Sequence, residues 1–519
     1  MPLFSSTAGT AIETPSVKQS PIIWMLLLLA FLIPVIGYGL LPLMGIHQFE
    51  QTIGLNKSLM LAAIPIGLAF VLKYMQIILP RPQMIAGFIL LAWPPVDAMN
   101  TLLMREGINL HLRPLLFLFI AAPACWMIFK HARLLFQTIP WLKYYTAFFV
   151  WVALYFLFNN ANAMDPHLNG GDDSFFEGSV SVIQFTAYFY CLIALALPAL
   201  AMIKLKNYRR VFDTLNASLL WISSLEALLT IVGYPFGLFS RELDGFTRAM
   251  GIFTHPNPFA HHMGILMVYL LGLLCYYQGN RKGRVADWLV LGGLACNFIA
   301  FLLGLSKTAL SAFILCSIVM LLMNLAVPAV RRNIPRLLMA LLILAPIGIF
   351  GFELLSDKSF FSLIEARVEQ TQSLDWRTLI WQELLSDLNF TSIFTGHGFT
   401  AANATVFQLS FNDSQNSTPL MMVHNAYIAL IYDLGVMGYL MFAAVGSLIV
   451  HSIKGWLQSP SPGMRTGYAI SLALALYFLF ACMFDEMSYM FDAPMLFWGL
   501  ISLLVGVQWR ERQEVSARI

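Results

Sequence analysis

Of 519 residues, 59% are hydrophobic and only 11% charged, with a mean hydropathy of +0.74, which excludes a soluble globular protein. The formal net charge of +3 is small and follows the loops, so no nucleic acid is expected as a partner and a lipid bilayer is. Cys125, Cys191, Cys275, Cys296, Cys316 and Cys482 all fall inside apolar stretches with no Cys-x-x-Cys pair. They read as small core residues, not as a disulfide or zinc framework.

The first 20 residues are polar and end at Pro21, and they read as a cytoplasmic tail. The apolar stretch after Pro21 is too long for a signal-peptide core and no small-residue cleavage site succeeds it, so it reads as a retained helix. With about 20 apolar residues per crossing, spans fall near 22–43, 59–79, 84–101, 114–130, 140–158, 179–203, 210–233, 259–278, 286–304, 308–328, 335–355, 424–452, 467–486 and 492–509. The third is weakened by Pro94-Pro95. The expected fold is an all-α polytopic integral membrane protein of about 12–14 transmembrane helices, with a large periplasmic loop before the twelfth span.

Charge sets an orientation. Twenty-one of the thirty lysines and arginines lie at the termini and in every second connection, including Lys204, Lys206, Arg209 and Arg210, then Arg331, Arg332 and Arg336, then Arg510, Arg512 and Arg518. Basic loops stay cytoplasmic during insertion, so both termini are expected there. The alternate connections face outward. Three are long: 159–178, with Asp165, Asp172 and Asp173; 234–258; and 356–423. Within the last, 375–388 has helical spacing, with Leu379, Ile380, Trp381, Leu384 and Leu385 apolar, and is expected to lie along the membrane surface. The chain thus divides into a tail (1–20), an N-terminal bundle (21–240), a region with the chemistry-bearing residues (241–455), C-terminal helices (456–509) and a cytoplasmic tail (510–519).

Outward-facing residues that insertion does not explain form three segments: Arg248-Ala-Met-Gly-Ile-Phe-Thr-His-Pro-Asn-Pro-Phe-Ala260, Leu305-Ser-Lys-Thr308, and His424-Asn425 followed after nine residues by Gly435-Val-Met-Gly438. A cation between two apolar spans is costly unless it pairs or faces water, so Lys307 reads as functional, with snorkelling to the interface as the other reading. Arg248 is open to either reading, since a loop arginine is commonly just solvated. His424 opens a span and so stands at the outer end of a helix, where at about 100° per residue Gly435 and Gly438 fall within roughly 40° of its face. Two glycines there let a neighbouring helix approach closely and turn the imidazole inward.

Among other polar residues in or near spans are Asp97, Glu226, Asp433, Asp485 and Glu486. Asp433 lies on the opposite helix face from His424 and is not expected to orient it. Glu226 reads as a packing carboxylate. The spacing of His255, His261 and His262 fits no common zinc pattern. Neither a Walker-type loop nor a tandem repeat is visible, so no ATPase or solenoid is expected.

The ordered segments resemble one family. His424-Asn425-x9-Gly435-x2-Gly438 resembles the signature near the C-terminus of bacterial O-antigen ligases and related polysaccharide polymerases. Arg248…Gly251-Ile-Phe…Pro256-Asn257, Leu305-Ser-Lys-Thr-Ala309, and Trp376-Arg377-Thr378…Trp381 with Gly396-His-Gly-Phe399 resemble segments of exopolysaccharide polymerases. Together they cover about 245–440 in the family's order, while the first seven spans show only a general likeness.

The resemblance implies a metal-independent, inverting glycosyltransferase of the bacterial inner membrane with its site at the periplasmic face. Its donor would be an oligosaccharide on a polyprenyl diphosphate, with no nucleotide sugar, metal or other cofactor. A glycan, a lipid A core or a protein hydroxyl would be the acceptor, and chain-length regulator and flippase proteins further partners. His424 would be the general base. Arg248 and Lys307 would hold the leaving diphosphate, with Arg377 a third cation and Asn257 and Asn425 binding diphosphate or glycan. One such contact at about 4 Å, with an effective dielectric near 20, contributes roughly 4 kcal/mol before desolvation. The family often has arginine where Lys307 stands, and lysine lacks the bidentate fork, which leans toward a polymerase over a ligase. A transporter or flippase is the alternative of another class. Transporters gather polar residues at the midplane, whereas here they collect at the outward ends.

Overall fold

The computed structural model describes residues 82–87, 90–91, 112–158, 174–237, 239–243, 246–251, 253, 255–279, 287–332, 342, 346, 348–354, 359, 361–362, 365, 372–403, 405–406, 423–485, 487 and 492–517. The expected tail 1–20, the spans at 22–43 and 59–79, most of 84–101 and 335–355, and Asp97, Asp165, Asp172, Asp173 and Glu486 lie outside them. Contacts divide the chain into a unit of Met1–Pro82 with Phe117–Pro123 and a unit of Gln83–Leu116 with Ala124–Ile519.

The second unit holds α1 (Leu142–Phe158), α2 (Ser174–Lys204), α3 (Tyr208–Gly233), β1 (Ser240–Leu243), β2 (Phe246–Ala249), α4 (Pro256–Gly279), α5 (Asp287–Leu303), α6 (Lys307–Leu325), α7 (Gln372–Asp387), α8 (Phe390–Thr395), α9 (Ala426–Leu434), α10 (Leu440–Gln458), α11 (Pro462–Phe484) and α12 (Asp492–Ser516). Seven described helices are long and apolar enough to cross a membrane: Gln184–Lys204, Tyr208–Phe236, Pro256–Tyr277, Lys307–Leu325, Ala426–Gln458, Pro462–Phe484 and Ala493–Ser516. Leu142–Phe158 and Gly292–Leu303 are shorter apolar helices. This is a helical, multi-pass membrane protein.

Helix α4 is apolar along most of its length beyond Asn257, His261 and His262, and its hydrophobic stretch is wholly buried, as expected of a central helix. It packs on α11, α5, α6 and α12, while α2 and α12 make the largest helix–helix interface. Pro198 lies within α2, and the next residue's N–H, that of Ala199, donates to Ser502 Oγ on α12 at 2.8 Å. The outer faces of α3 and α6 expose Trp221, Leu225, Leu228, Ile314, Ile318 and Leu322. Such side chains suit lipid.

The two ends of the bundle differ chemically. At one, Arg209 donates to Glu514 at 2.8 Å, Tyr276 to Glu511 and Tyr277 to Asp213, and Arg510 and Arg512 lie over the rings of Tyr208 and Tyr468. At the other stand the start of α4, the end of α11 and the turn between α5 and α6.

The 234–258 connection carries a short antiparallel hairpin, Ser240 paired with Ala249 and Leu243 with Phe246, within the expected helical fold. The intervening Asp244-Gly245 is a sequence signal for such a turn. The span beginning at His424 is not one helix. Gly435, at φ +65°, ends α9, and a 3-10 turn over Gly435–Tyr439 separates it from α10. The break displaces the 100° phase that would set both glycines on the histidine's face. A Cβ on Gly435 would collide with the Phe394 carbonyl and one on Gly396 with the Asp433 carbonyl, so these glycines let backbone meet backbone. A Cβ on Gly438 would likewise meet the Leu430 carbonyl of α9, across the break.

Candidate active site

Arg248 is on β2 and only 3% exposed. A buried guanidinium must spend its donors on fixed acceptors, because leaving it unpaired costs several kcal/mol. Nε donates to the Gly304 carbonyl at 3.0 Å and Nη2 to Asn257 Oδ1 at 2.7 Å. The first acceptor is one of the carbonyls left over where α5 ends, where a cation is favoured. Asn257 follows the opening proline of α4 and passes the link on, donating through Nδ2 to Asp485 Oδ1 at 3.3 Å.

Asp485 caps the C-terminal end of α11 and is 2% exposed. Besides Asn257 it faces two histidines: His261 Nε2 at 2.9 Å from Oδ2 and His424 Nδ1 at 3.4 Å from Oδ1. Burial alone would push its pKa up. The hydrogen bonds from His261 and His424 outweigh burial and hold it well below the ordinary carboxylate range. An ionised carboxylate only accepts, so both facing ring nitrogens carry protons. With Nδ1 protonated, neutral His424 presents a lone pair at Nε2.

His424 lies outside α9, just before its N-cap, with backbone φ +54°. A non-glycine residue in that region costs of order 1–3 kcal/mol, a cost often met at functional sites. Leu305 is the same, at φ +48°, in the turn that presents Lys307. Ser306 caps α6 by accepting from the Ala309 N–H, and Lys307 is its first residue, exposed. The expected one-turn connection is present, and Lys307 stands three residues beyond the carbonyl that Arg248 holds.

Helix α7 fastens both chain segments. Arg377 and Trp381, four residues apart on one face, reach the Phe484 carbonyl at 3.1 Å and the Val423 carbonyl at 2.8 Å. These carbonyls immediately precede Asp485 and His424. Ile380 and Leu384 are the helix's buried side, while Leu379 and Leu385 are exposed.

Thus Arg248, Asn257, Arg377 and His424 are joined through Asp485 and its neighbouring peptide. Asn425 is placed differently from expectation: its Oδ1 caps α9, accepting from the Tyr427 and Ile428 N–H groups, so its amide oxygen is not left for substrate. Gly435 and Gly438 belong to the loop-docking region. There Asp433 accepts from the Ala402 N–H and, through its carbonyl, from Gly398, which agrees with its exclusion as a partner of His424. The histidines grouped for a zinc test diverge: His255 accepts from the Asn257 N–H, His261 faces Asp485, and His262 lies 3.9 Å from Glu226. Sequence reasoning gave no role to Asp485 and His261. Their only signal was a carboxylate at the end of one span and a histidine near the start of another.

Residues 292–443 match the family model described as O-antigen ligase. That segment is similar to O-antigen ligases. It includes Gly304, Lys307, α7 and His424, and supports a ligase- or polymerase-type glycosyltransferase at family level. Arg248, Asn257, His261 and Asp485 lie outside the matched segment. No curated protein matches the chain.

Proposed function

We propose that this protein joins glycan from a polyprenyl-diphosphate carrier to an acceptor sugar hydroxyl at the outer face of the bacterial inner membrane, as an O-antigen or exopolysaccharide polymerase. The observation that carries this is the hydrogen-bonded series Arg248–Asn257–Asp485–His424, which puts a buried cation and a carboxylate-backed histidine at one end of the bundle. The opposite end carries the basic clusters that insertion keeps in the cytoplasm, which supports an outward site.

In this mechanism Nε2 of His424 takes the proton of the acceptor hydroxyl. The oxygen attacks the anomeric carbon from the face opposite the diphosphate, and the carbon–oxygen bond to the diphosphate breaks with its electron pair leaving on the phosphate. The configuration inverts. Arg248, Lys307 and Arg377 stabilise the charge that develops on the leaving group. No metal is required in this scheme.

A second reading, transfer of finished glycan to a lipid A core or to protein, is favoured by the description of the matched family. Deleting the chain in its own host and profiling glycan length separates the two. A single repeat left on the core supports the polymerase, a core without any repeat supports the ligase, and an unchanged profile refutes both.

A further inference from the structure

His261 has no part in the reaction just described, yet its side chain is fully buried against the residue that backs the base. It occupies the second turn of α4, with Nε2 2.9 Å from Asp485 Oδ2 and Nδ1 3.2 Å from the Tyr477 hydroxyl. The two rings meet edge-on, their centroids 6.0 Å apart. Space for that hydroxyl comes from Gly264, one turn along α4, where a Cβ would collide with it.

Protonation follows from donor and acceptor chemistry. Asp485 accepts, so Nε2 of His261 bears a proton. A neutral ring then needs a donor at Nδ1, which the Tyr477 hydroxyl supplies. In that state the buried charges of Arg248 and Asp485 balance, and the enclosed histidine adds none.

We propose that His261 is a positioning residue that pins Oδ2 of Asp485, so that Oδ1 faces Nδ1 of His424, with Tyr477 selecting the tautomer that does so. Its meaning for catalysis rests on the reading of His424 as the base; the geometric claim does not. The carboxylate charge is divided between two histidines and Asn257, so His424 feels less of it than it would as sole partner. Removing the His261 donor concentrates charge on His424 and raises its affinity for a proton. Among the described residues, the other charged or titratable groups linked to this point are Arg248 through Asn257, His255 just before α4, Arg377 on the Phe484 carbonyl, Tyr477 on α11 and Cys316 beside Tyr477. All stay in place when residue 261 alone is changed.

The test uses the full-length protein in detergent and diethyl pyrocarbonate, which attacks only unprotonated imidazole. The rate of modification of the His424 peptide, followed by mass spectrometry across pH, gives its titration midpoint. His261→Leu is expected to raise that midpoint by about one pH unit, a tenfold change in proton affinity. His261→Gln keeps a donor near the Nε2 position and is expected to stay within a few tenths of a unit of the unaltered protein. An unmoved midpoint in His261→Leu, or an equal shift in His261→Gln, overturns the proposal. If His261→Leu does not fold, Tyr477→Phe decides: a smaller upward shift supports the assignment and no shift refutes it. The assay needs no glycan, so a failed base assignment for His424 and a failed positioning role for His261 are told apart.

Discussion

The carboxylate of Asp485 stands 3.4 Å from Nδ1 of His424, although 61 residues separate them in the chain. Two hydrogen bonds from one face of α7, Arg377 to the Phe484 carbonyl and Trp381 to the Val423 carbonyl, bring these chain segments together. The pairing fixes which imidazole nitrogen carries the proton, and therefore which one can accept another.

Asp485→Asn retains shape but replaces an acceptor-only group with an amide that can present a donor to His424. The wrong tautomer is then favoured. Glycan transfer by the purified variant, with lipid-linked glycan from its own host, is expected to fall roughly a hundredfold to ten-thousandfold at unchanged expression.

The same carboxylate gives a pH dependence of stability. Its folded pKa is depressed, so its contribution is fully present above the unfolded carboxylate value, about 3.9, and is lost as pH falls from there toward the folded value. The difference in melting temperature between the unaltered protein and Asp485→Asn is therefore expected to hold steady from pH 7 to about pH 5 and to shrink below about pH 4.

Arg248→Lys keeps the charge and loses the fork. Lysine cannot reproduce the Nε bond to Gly304 together with the Nη2 bond to Asn257. Transfer activity is expected to drop at least about tenfold, the consequence of losing one charge-assisted bond of roughly 1.5–3 kcal/mol. Activity within twofold of the unaltered protein would show that charge alone suffices.

Gly435→Ala places a Cβ at φ +65° against the Phe394 carbonyl. With ψ at −161° this backbone lies in a region essentially confined to glycine, which costs an alanine about 1–3 kcal/mol, and the clash adds to it. Thermal unfolding in detergent is expected to move down by several degrees, and Gly396→Ala, across the same contact, by a similar amount. Additive losses in the double variant would argue against a shared backbone contact.

The spans were legible because each crossing needs a long apolar run: those at 140–158, 210–233, 259–278, 286–304 and 308–328 coincide with helices within a few residues, whereas 424–452 is broken at Gly435 and the helix expected to end at 509 runs on to Ser516. Lys307 stood out because a cation next to hydrocarbon demands a reason, whereas Arg248, in a long loop, was open to simple solvation until the family resemblance gave it a role. Asp485 did not stand out, since a carboxylate at a helix end is ordinary and no local pattern tells which distant helix end it meets. The helical phase expected at His424 did not hold, for a related reason. It required continuous helix, whereas the positive φ at His424 and the break at Gly435 are backbone choices enforced by tertiary contacts. The glycines were noticed for close approach, and the contacts they allow are with backbone: Gly435 admits the Phe394 carbonyl at the end of α8, and Gly438 the Leu430 carbonyl of α9.

The central claim is that His424 removes the proton from the acceptor sugar. The most direct measurement replaces it with alanine on the chromosome of the host and compares glycan ladders at matched protein levels. Loss of every chain longer than the donor unit is the outcome this account requires, and an undiminished ladder would contradict it.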